Sequence, residues 1–265
     1  MNRLLLSVWM GLLVPSLLRG ADDILEHPVF PKPDAVVAID PKMNATATEI
    51  MTPCFAREAK GTKLEVNTTH GWGWVERKQM MTSKELEKYF DDHKKDAYAL
   101  SMHSILHLMA EKGTDAEKRK KAMADLDAAV KADSKFAPAL YGRANLYLEM
   151  GEYEKAQADF LTAIKLAPND LLAANDLAWF RATCPEAKYR DGKEAVTQST
   201  RVCEATKYAN VDFLDTFAAA HAEAGDFKTA LKWATKAAEL DPENPDFADH
   251  VKLLKAKKPI RDDGK

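Results

Sequence analysis

Leu140, Ala144, Gly151, Tyr153, Ala156, Ala163 and Pro168 are each matched, 74 residues later, by Leu214, Ala218, Gly225, Phe227, Ala230, Ala237 and Pro242. Seven matches in one register define an internal repeat, and a period of tens of residues marks a chain built from stacked supersecondary units. The offset divides into one unit of 34 and one of 40 residues. The intermediate unit, 171–210, carries Leu177, Ala178, Ala195 and Val202 in the corresponding places, with extra residues at Cys184–Asp191. An earlier unit, 97–136, ends in Ala129–Asp133, the counterpart of Ala237–Asp241, and carries extra residues at Gly113–Lys121. Four units, 97–136, 137–170, 171–210 and 211–244, therefore tile the C-terminal part without gaps.

Each unit reads as a helical hairpin. In 137–170, Leu140, Ala144, Tyr147 and Leu148 form the stripe of an amphipathic helix, and Gly151 ends it. Ala156, Phe160, Ala163 and Ile164 line a second helix, and Pro168 stands just past its end, where proline cannot continue a helix. Ala144 and Ala156 let two helices approach closely while Tyr147 and Phe160 fill the space beside them. No single hairpin buries its apolar face alone, so stacking supplies the core. The spacing Leu140, Ala144, Tyr147, Gly151, Tyr153, Ala156, Phe160, Ala163, Pro168 resembles that of a tetratricopeptide repeat. Unit 211–244 departs from that pattern at His221 and Ala234, where a large apolar residue is usual, and the two longer units are looser matches.

The resemblance implies an α-solenoid, a right-handed superhelix whose concave groove holds a peptide or protein surface. In that architecture the first helix of each unit lines the groove. The inward positions are Tyr98, Ser101, Ile105 and Leu108, then Tyr141, Asn145 and Leu148, then Asn175 and Trp179, then Asp212 and Asp215. Amides suit the backbone of an extended segment, Tyr141 and Trp179 supply rigid contact area, and the acids favour a basic end. The lysines with which some relatives grip a C-terminal carboxylate are replaced by Ser101, Tyr141, Asn175 and Asp215, so that clamp is not implied. Packing of these positions against the N-terminal segment is the alternative. After Asn244, Pro245–Lys258 reads as a capping helix with Phe247, Val251 and Leu254 on one side, and 259–265 as a disordered tail.

Residues 28–81 have a different grammar. Ala35–Ile39 is rich in β-branched residues, Thr62–Val66 alternates, and Trp72-Gly73-Trp74-Val75 follows a polar turn, which predicts short strands. Thr82-Ser83-Lys84-Glu85 is a capping box that opens a linking helix over 82–96. The pattern Gly61-Thr62-x-Leu64-x-Val66, then Gly71-Trp72-x-Trp74-Val75, resembles the small barrel of bacterial SH3-like domains, with less chain between its two tryptophan-bearing strands than is usual. Trp72 and Trp74 are read either as packing residues or as a ligand surface, for which a cell-wall polymer is the partner implied.

Arg3 precedes the apolar run Leu4–Val14, and small residues follow at Gly20-Ala21, the order of a secretory signal peptide over 1–21. The run is shorter than the ~20 residues needed to span a bilayer, so membrane attachment is expected only if this segment stays uncleaved. The expected location is the periplasm, cell envelope or exterior. Basic residues number 38 and acidic 41, a balance that argues against nucleic acid as a partner. Three cysteines, Cys54, Cys184 and Cys203, exclude a disulfide-dense scaffold. Cys184 and Cys203 share one unit, but the hairpin sets them at opposite ends unless the intervening loop folds back.

No phosphate-cradling loop or Gly-x-Ser-x-Gly is present, and the lone Gly-x-Gly at Gly71 has no third glycine. No cofactor and no catalytic residue is expected. His103 and His107 have metal-compatible i, i+4 spacing, but they lack the Glu of His-Glu-x-x-His and fall on packing positions of the first repeat, so they are read as structural, with no metal. Lys118-Arg119-Lys120-Lys121 reads as a solvated inter-helix loop. The sequence thus predicts a mainly α, exported, non-enzymatic scaffold of tetratricopeptide type behind a small β-rich barrel. An envelope-targeting binder of cell-wall polymer is the alternative.

Overall fold

The structure is a computed structural model that describes residues 28–40, 43–46, 54–68 and 71–262. The leader read at 1–21 lies outside them. The described chain is mainly helical and divides into two compact units, 28–146 with 165–167 and 147–164 with 168–262.

The N-terminal unit begins with seven short strands, β1 (Val29–Pro31), β2 (Val36–Asp40), β3 (Met43–Thr46), β4 (Ala56–Lys60), β5 (Lys63–Thr68), β6 (Gly71–Glu76) and β7 (Met80–Thr82). Five form an antiparallel sheet in the order β3-β2-β6-β5-β4, while β1 pairs with β7. In the β5–β6 ladder Leu64 faces Val75 and Val66 faces Gly73. The two-residue period therefore sends Leu64, Val66 and Val75 into a core with Val29, Cys54, Ala56 and Met80, and leaves Lys63 at the surface. Trp74 belongs to the opposite set and is only half-buried.

Helix α1 (Ser83–Asp92) opens on the capping box foreseen in the sequence: Thr82 accepts from the Glu85 amide, and Glu85 accepts from the Thr82 amide. Helices α2 (Ala97–Met109) and α3 (Asp115–Ala132) follow. Lys118–Lys121 lie within α3 and not in a loop. A second capping box, Thr114 with Glu117, starts that helix three residues ahead of the basic run. The unit ends in α4 (Ala137–Glu149), through which the division between the two units runs.

The C-terminal unit holds the end of α4, most of α5 (Tyr153–Leu166), then α6 (Leu171–Thr183), α7 (Gly192–Ala205), α8 (Val211–Glu223), α9 (Phe227–Leu240) and α10 (Pro245–Lys255). Gly151 and Gly225, 74 residues apart, do the same work: at φ 72° and 88° they take the left-handed conformation that closes α4 and α8. Behind them Glu152 N–H donates to the Tyr147 carbonyl and Asp226 N–H to that of His221, the six-to-one bond of a Schellman turn. The alanines of the repeat are the packing contacts. Ala156, Ala218, Ala230, Ala234 and Ala237 have no accessible surface at all. No helix among the described residues is long and apolar enough to cross a membrane. Cys54, Cys184 and Cys203 are buried thiols that form no disulfide. Burial alone pushes Cys54 and Cys203 up to about 12, so neither presents a thiolate at neutral pH.

Candidate functional site

The inward positions of the C-terminal unit meet on α6 and α8, and part of the chain itself covers them. Asn175 and Trp179 lie one turn apart on α6, and both are buried. Trp179 sits in an apolar cluster with Ala182, Ala218, Ala219, Ala222, Leu254 and Ile260. Ile260 belongs to the segment following α10 and is only 2% exposed. The tail expected to be disordered is therefore docked over 259–262, while 263–265 lie outside the described residues.

The docked segment is held by backbone and side chain together. Asp262 N–H donates to the Thr183 carbonyl at 3.0 Å, and Trp179 Nε1–H donates to Asp262 Oδ2 at 3.3 Å. Arg261 Nη1 donates to the Ala182 carbonyl at 3.1 Å. Arg261 Nη2 also pairs with Glu223 Oε2 at 2.6 Å, while Arg190 Nε takes Glu223 Oε1 at 3.0 Å. Two guanidinium groups thus share one largely buried carboxylate, a charge-assisted arrangement stronger than exposed ion pairs. The inserted residues of unit 171–210 make this possible. Cys184–Asp191 contain a short 3-10 turn, Ala187–Tyr189, whose Tyr189 packs on Phe180 and Tyr153. The turn delivers Arg190 to Glu223, and Arg190 Nη1 also donates to the Cys184 and Pro185 carbonyls.

The acid expected to meet a basic partner is already engaged. Asp215 Oδ1 lies 2.7 Å from His250 Nδ1 of α10, with both side chains buried, and the His250 ring lies 5.8 Å from that of Trp179. Asp212 is half-buried at the first turn of α8. Asn175 Nδ2 donates to Asp176 Oδ1, but its buried Oδ1 has no hydrogen-bond partner among the described residues. A buried orphan acceptor costs on the order of 1–3 kcal/mol, a deficit that an incoming N–H would remove. His221 is a second case. Its Nε2 is buried with no hydrogen-bond partner among the described residues, and burial holds its pKa below the usual histidine value against the pull of Asp226.

The inward positions of the first repeat form no open groove. Tyr98 is buried among Phe30, Ala35, Met81, Leu86 and Met102, with its hydroxyl donating to the Pro31 carbonyl, and Ile105 packs on the same cluster. Ser101 Oγ turns back to the Ala97 carbonyl, and Leu108 packs with Leu100, Ala122 and Leu126. This surface is spent on the β region, the alternative the sequence left open, because Phe30 and Met81 supply an apolar face that α2 must cover. Tyr141, Asn145 and Leu148 are each half-buried on α4. Trp72 side-chain placement lies outside what is described, so of the proposed aromatic pair only Trp74 is located.

Sequence reasoning missed Arg190, Glu223, His250, Arg261 and Asp262. The available signal was the 40-residue length of unit 171–210, whose surplus carries Arg190.

Residues 137–170 match the family model described as tetratricopeptide repeat. Among solved structures, the chain is similar to YrrB, a TPR protein with an unusual peptide-binding site, at 22% identity over 64% of this chain and 82% of that one, with a TM-score of 0.49. It is also similar to the APC/C hetero-tetramer Cut9-Hcn1, at 15% identity over 64% and 38% of the two chains and a TM-score of 0.38. The TPR domain of P58(IPK) follows at 15% identity over 66% and 59%, with a TM-score of 0.33. The chain spans less than two thirds of the length of the latter two. No curated protein matches the sequence. The finding that bears on kinship is the repeat itself: within a mainly helical fold, residues 137–170 match the tetratricopeptide repeat.

Proposed function

We propose that this is an exported, non-enzymatic interaction protein that binds an extended segment of a partner protein on the α6–α8 face of its C-terminal unit. The observation that carries the reading is the seated segment 259–262. A segment outside any helix or strand, with a buried apolar residue, a backbone hydrogen bond and a cation–carboxylate pair, already lies on this face. A partner segment presenting an apolar residue beside an arginine and an acid would meet the same groups. It would have to displace the intramolecular copy, whose tether gives it a high effective concentration. Export rests on the order of residues 1–21, basic, then apolar, then small.

The test is crosslinking in the native envelope with three forms of the chain: complete, ending at Lys258, and ending at Lys258 with Trp179→Ala. The expected result is a partner captured several-fold better by the shortened chain than by the complete one, and lost with Trp179→Ala. Equal capture by all three would overturn the assignment of this face.

Trp74 favours a second reading. It lies on the face of β6 opposite the core and is partly exposed, a position suited to stacking on a sugar ring or another flat ligand. Co-sedimentation with purified cell wall, lost in a Trp72→Ala/Trp74→Ala variant, would support a polymer-binding role for the β region; no co-sedimentation by the parent would remove it.

A further inference from the structure

Three polar side chains of the N-terminal unit converge away from any position used above. His103 and His107 stand one turn apart on α2, and Asp125 meets them from α3. Asp125 Oδ2 lies 2.8 Å from His103 Nδ1 and 3.4 Å from His107 Nε2. One ligand atom from each residue falls within 4.8 Å of the other two. A tetrahedral zinc ion with bonds of ~2.0–2.2 Å holds its ligand atoms ~3.3–3.6 Å apart. The three atoms therefore need only small ring and carboxylate rotations to reach coordination distance of one point.

We propose that His103 Nδ1, His107 Nε2 and Asp125 Oδ2 bind one divalent transition-metal ion of the zinc type, leaving a fourth position to water. Two imidazoles and a carboxylate are the donor set such an ion prefers over calcium or magnesium, which take oxygen ligands. The surroundings are those of a built site. Phe90 lies flat on the His103 ring, with centroids 3.7 Å apart and planes within 3°, and so fixes the plane of that ligand. Glu87 Oε2 stands 3.6 Å from His103 Nε2. A carboxylate at that distance favours the tautomer that carries its proton on Nε2 and leaves the Nδ1 lone pair for the metal, as outer carboxylates do for ligating histidines. Binding replaces the present contact between His103 Nδ1 and Asp125 Oδ2 with a bond from each to the ion. His103 and Asp125 are mostly buried and His107 is about a quarter exposed, so the ion has a route in while remaining shielded. An ion held this way ties α2 to α3 by coordinate bonds at the point where the His103–Asp125 contact already joins them.

The i, i+4 histidines were visible in the sequence, but the third ligand lies 18 residues beyond His107 on the returning helix. Only the hairpin brings it into place.

The test uses the complete chain, loaded with zinc, dialysed and assayed by elemental analysis and calorimetry, with cobalt absorption reporting coordination geometry. One equivalent of zinc is expected, with a tetrahedral cobalt spectrum. His107→Ala and Asp125→Asn should each lose the retained ion, while His93→Ala, outside the cluster, keeps it. Glu87→Gln should weaken binding by about 10-fold, as loss of an outer-shell partner does. Circular dichroism establishes that each variant folds, and zinc should raise the melting temperature of the parent but not of His107→Ala. Zinc retained equally by parent and His107→Ala, or not retained by the folded parent, would overturn the proposal and leave the cluster as a hydrogen-bonded triad.

Discussion

Replacing Gly192 by alanine tests the packing of the C-terminal unit at one atom. Gly192 is the first residue of α7, and its conformation is open to any residue. A Cβ added there would lie 2.6 Å from the Ala224 amide nitrogen, 2.8 Å from the Glu223 carbonyl carbon and 2.9 Å from Ala224 Cα. Relaxed contacts of this kind are ~3.5–4.0 Å, so the end of α8 or the start of α7 must move by roughly 1 Å. All three neighbours are backbone, and no rotamer change relieves them. Overpacking of this kind costs about 1–3 kcal/mol, and removing the glycine's unfolded-state freedom returns about 0.4–1 kcal/mol. The net effect is a destabilisation of about 1–2 kcal/mol, or roughly 2–8 °C in melting temperature for a chain of this size. Thermal unfolding followed by helical circular dichroism measures it. Lys193→Ala, one residue on and exposed, is the control and should stay within about 0.5 kcal/mol of the parent. Because Glu223 anchors Arg261, the same variant should release residues 259–265 to carboxypeptidase faster than the parent does. A Gly192→Ala chain that melts at or above the parent would refute the contact between α7 and α8 described here.

Three further outcomes are expected. His221→Leu removes a buried nitrogen without a partner and should stabilise the chain by about 1 kcal/mol at pH 7. Burial lowers the His221 pKa in the folded state, so the unfolded chain takes up the proton first and stability falls as pH drops below the ordinary value of about 6.5. The gap in melting temperature between His221→Leu and the parent should therefore widen from pH 7 to pH 5.5; a constant gap would contradict the burial argument. Non-reduced protein should show three titratable thiols in denaturant and almost none when folded, whereas a count of one would mean that Cys184 and Cys203 are bridged. Mass spectrometry of exported chain should find an N-terminus near Ala21 or Asp22, and an intact leader would contradict cleavage.

The hairpins were legible because their punctuation is local. Gly151 and Gly225 end helices through a conformation glycine adopts without strain, and Pro168 and Pro242 cannot continue one, so helix limits could be read from single residues. The capping box at Thr82 was legible for the same reason, and the one at Thr114 was passed over because the charged run behind it reads equally well as a loop. Strands fared less evenly. β5 and β6 announce themselves by alternation, whereas β1 and β7 are short and acquire their character from pairing with each other across the length of the β region. The site was the least legible part. Trp179 and Asp215 were singled out by position, yet what meets them, Asp262 and His250, lies 83 and 35 residues away. Long-range pairing of that kind leaves no periodic trace. The tail looked disordered because it is short and charged, but a buried isoleucine, one backbone hydrogen bond to Thr183 and the side-chain contacts of Arg261 and Asp262 dock it.

The central claim is that the α6–α8 face binds an extended segment, and a labelled peptide of residues 257–265 tests it most directly. Fluorescence anisotropy with the chain ending at Lys258, its fold checked by circular dichroism, should show saturable one-to-one binding that Trp179→Ala abolishes. The complete chain, whose own segment occupies the face, should bind the peptide far more weakly. No binding by the folded, shortened chain, or equal binding by both, would contradict the account.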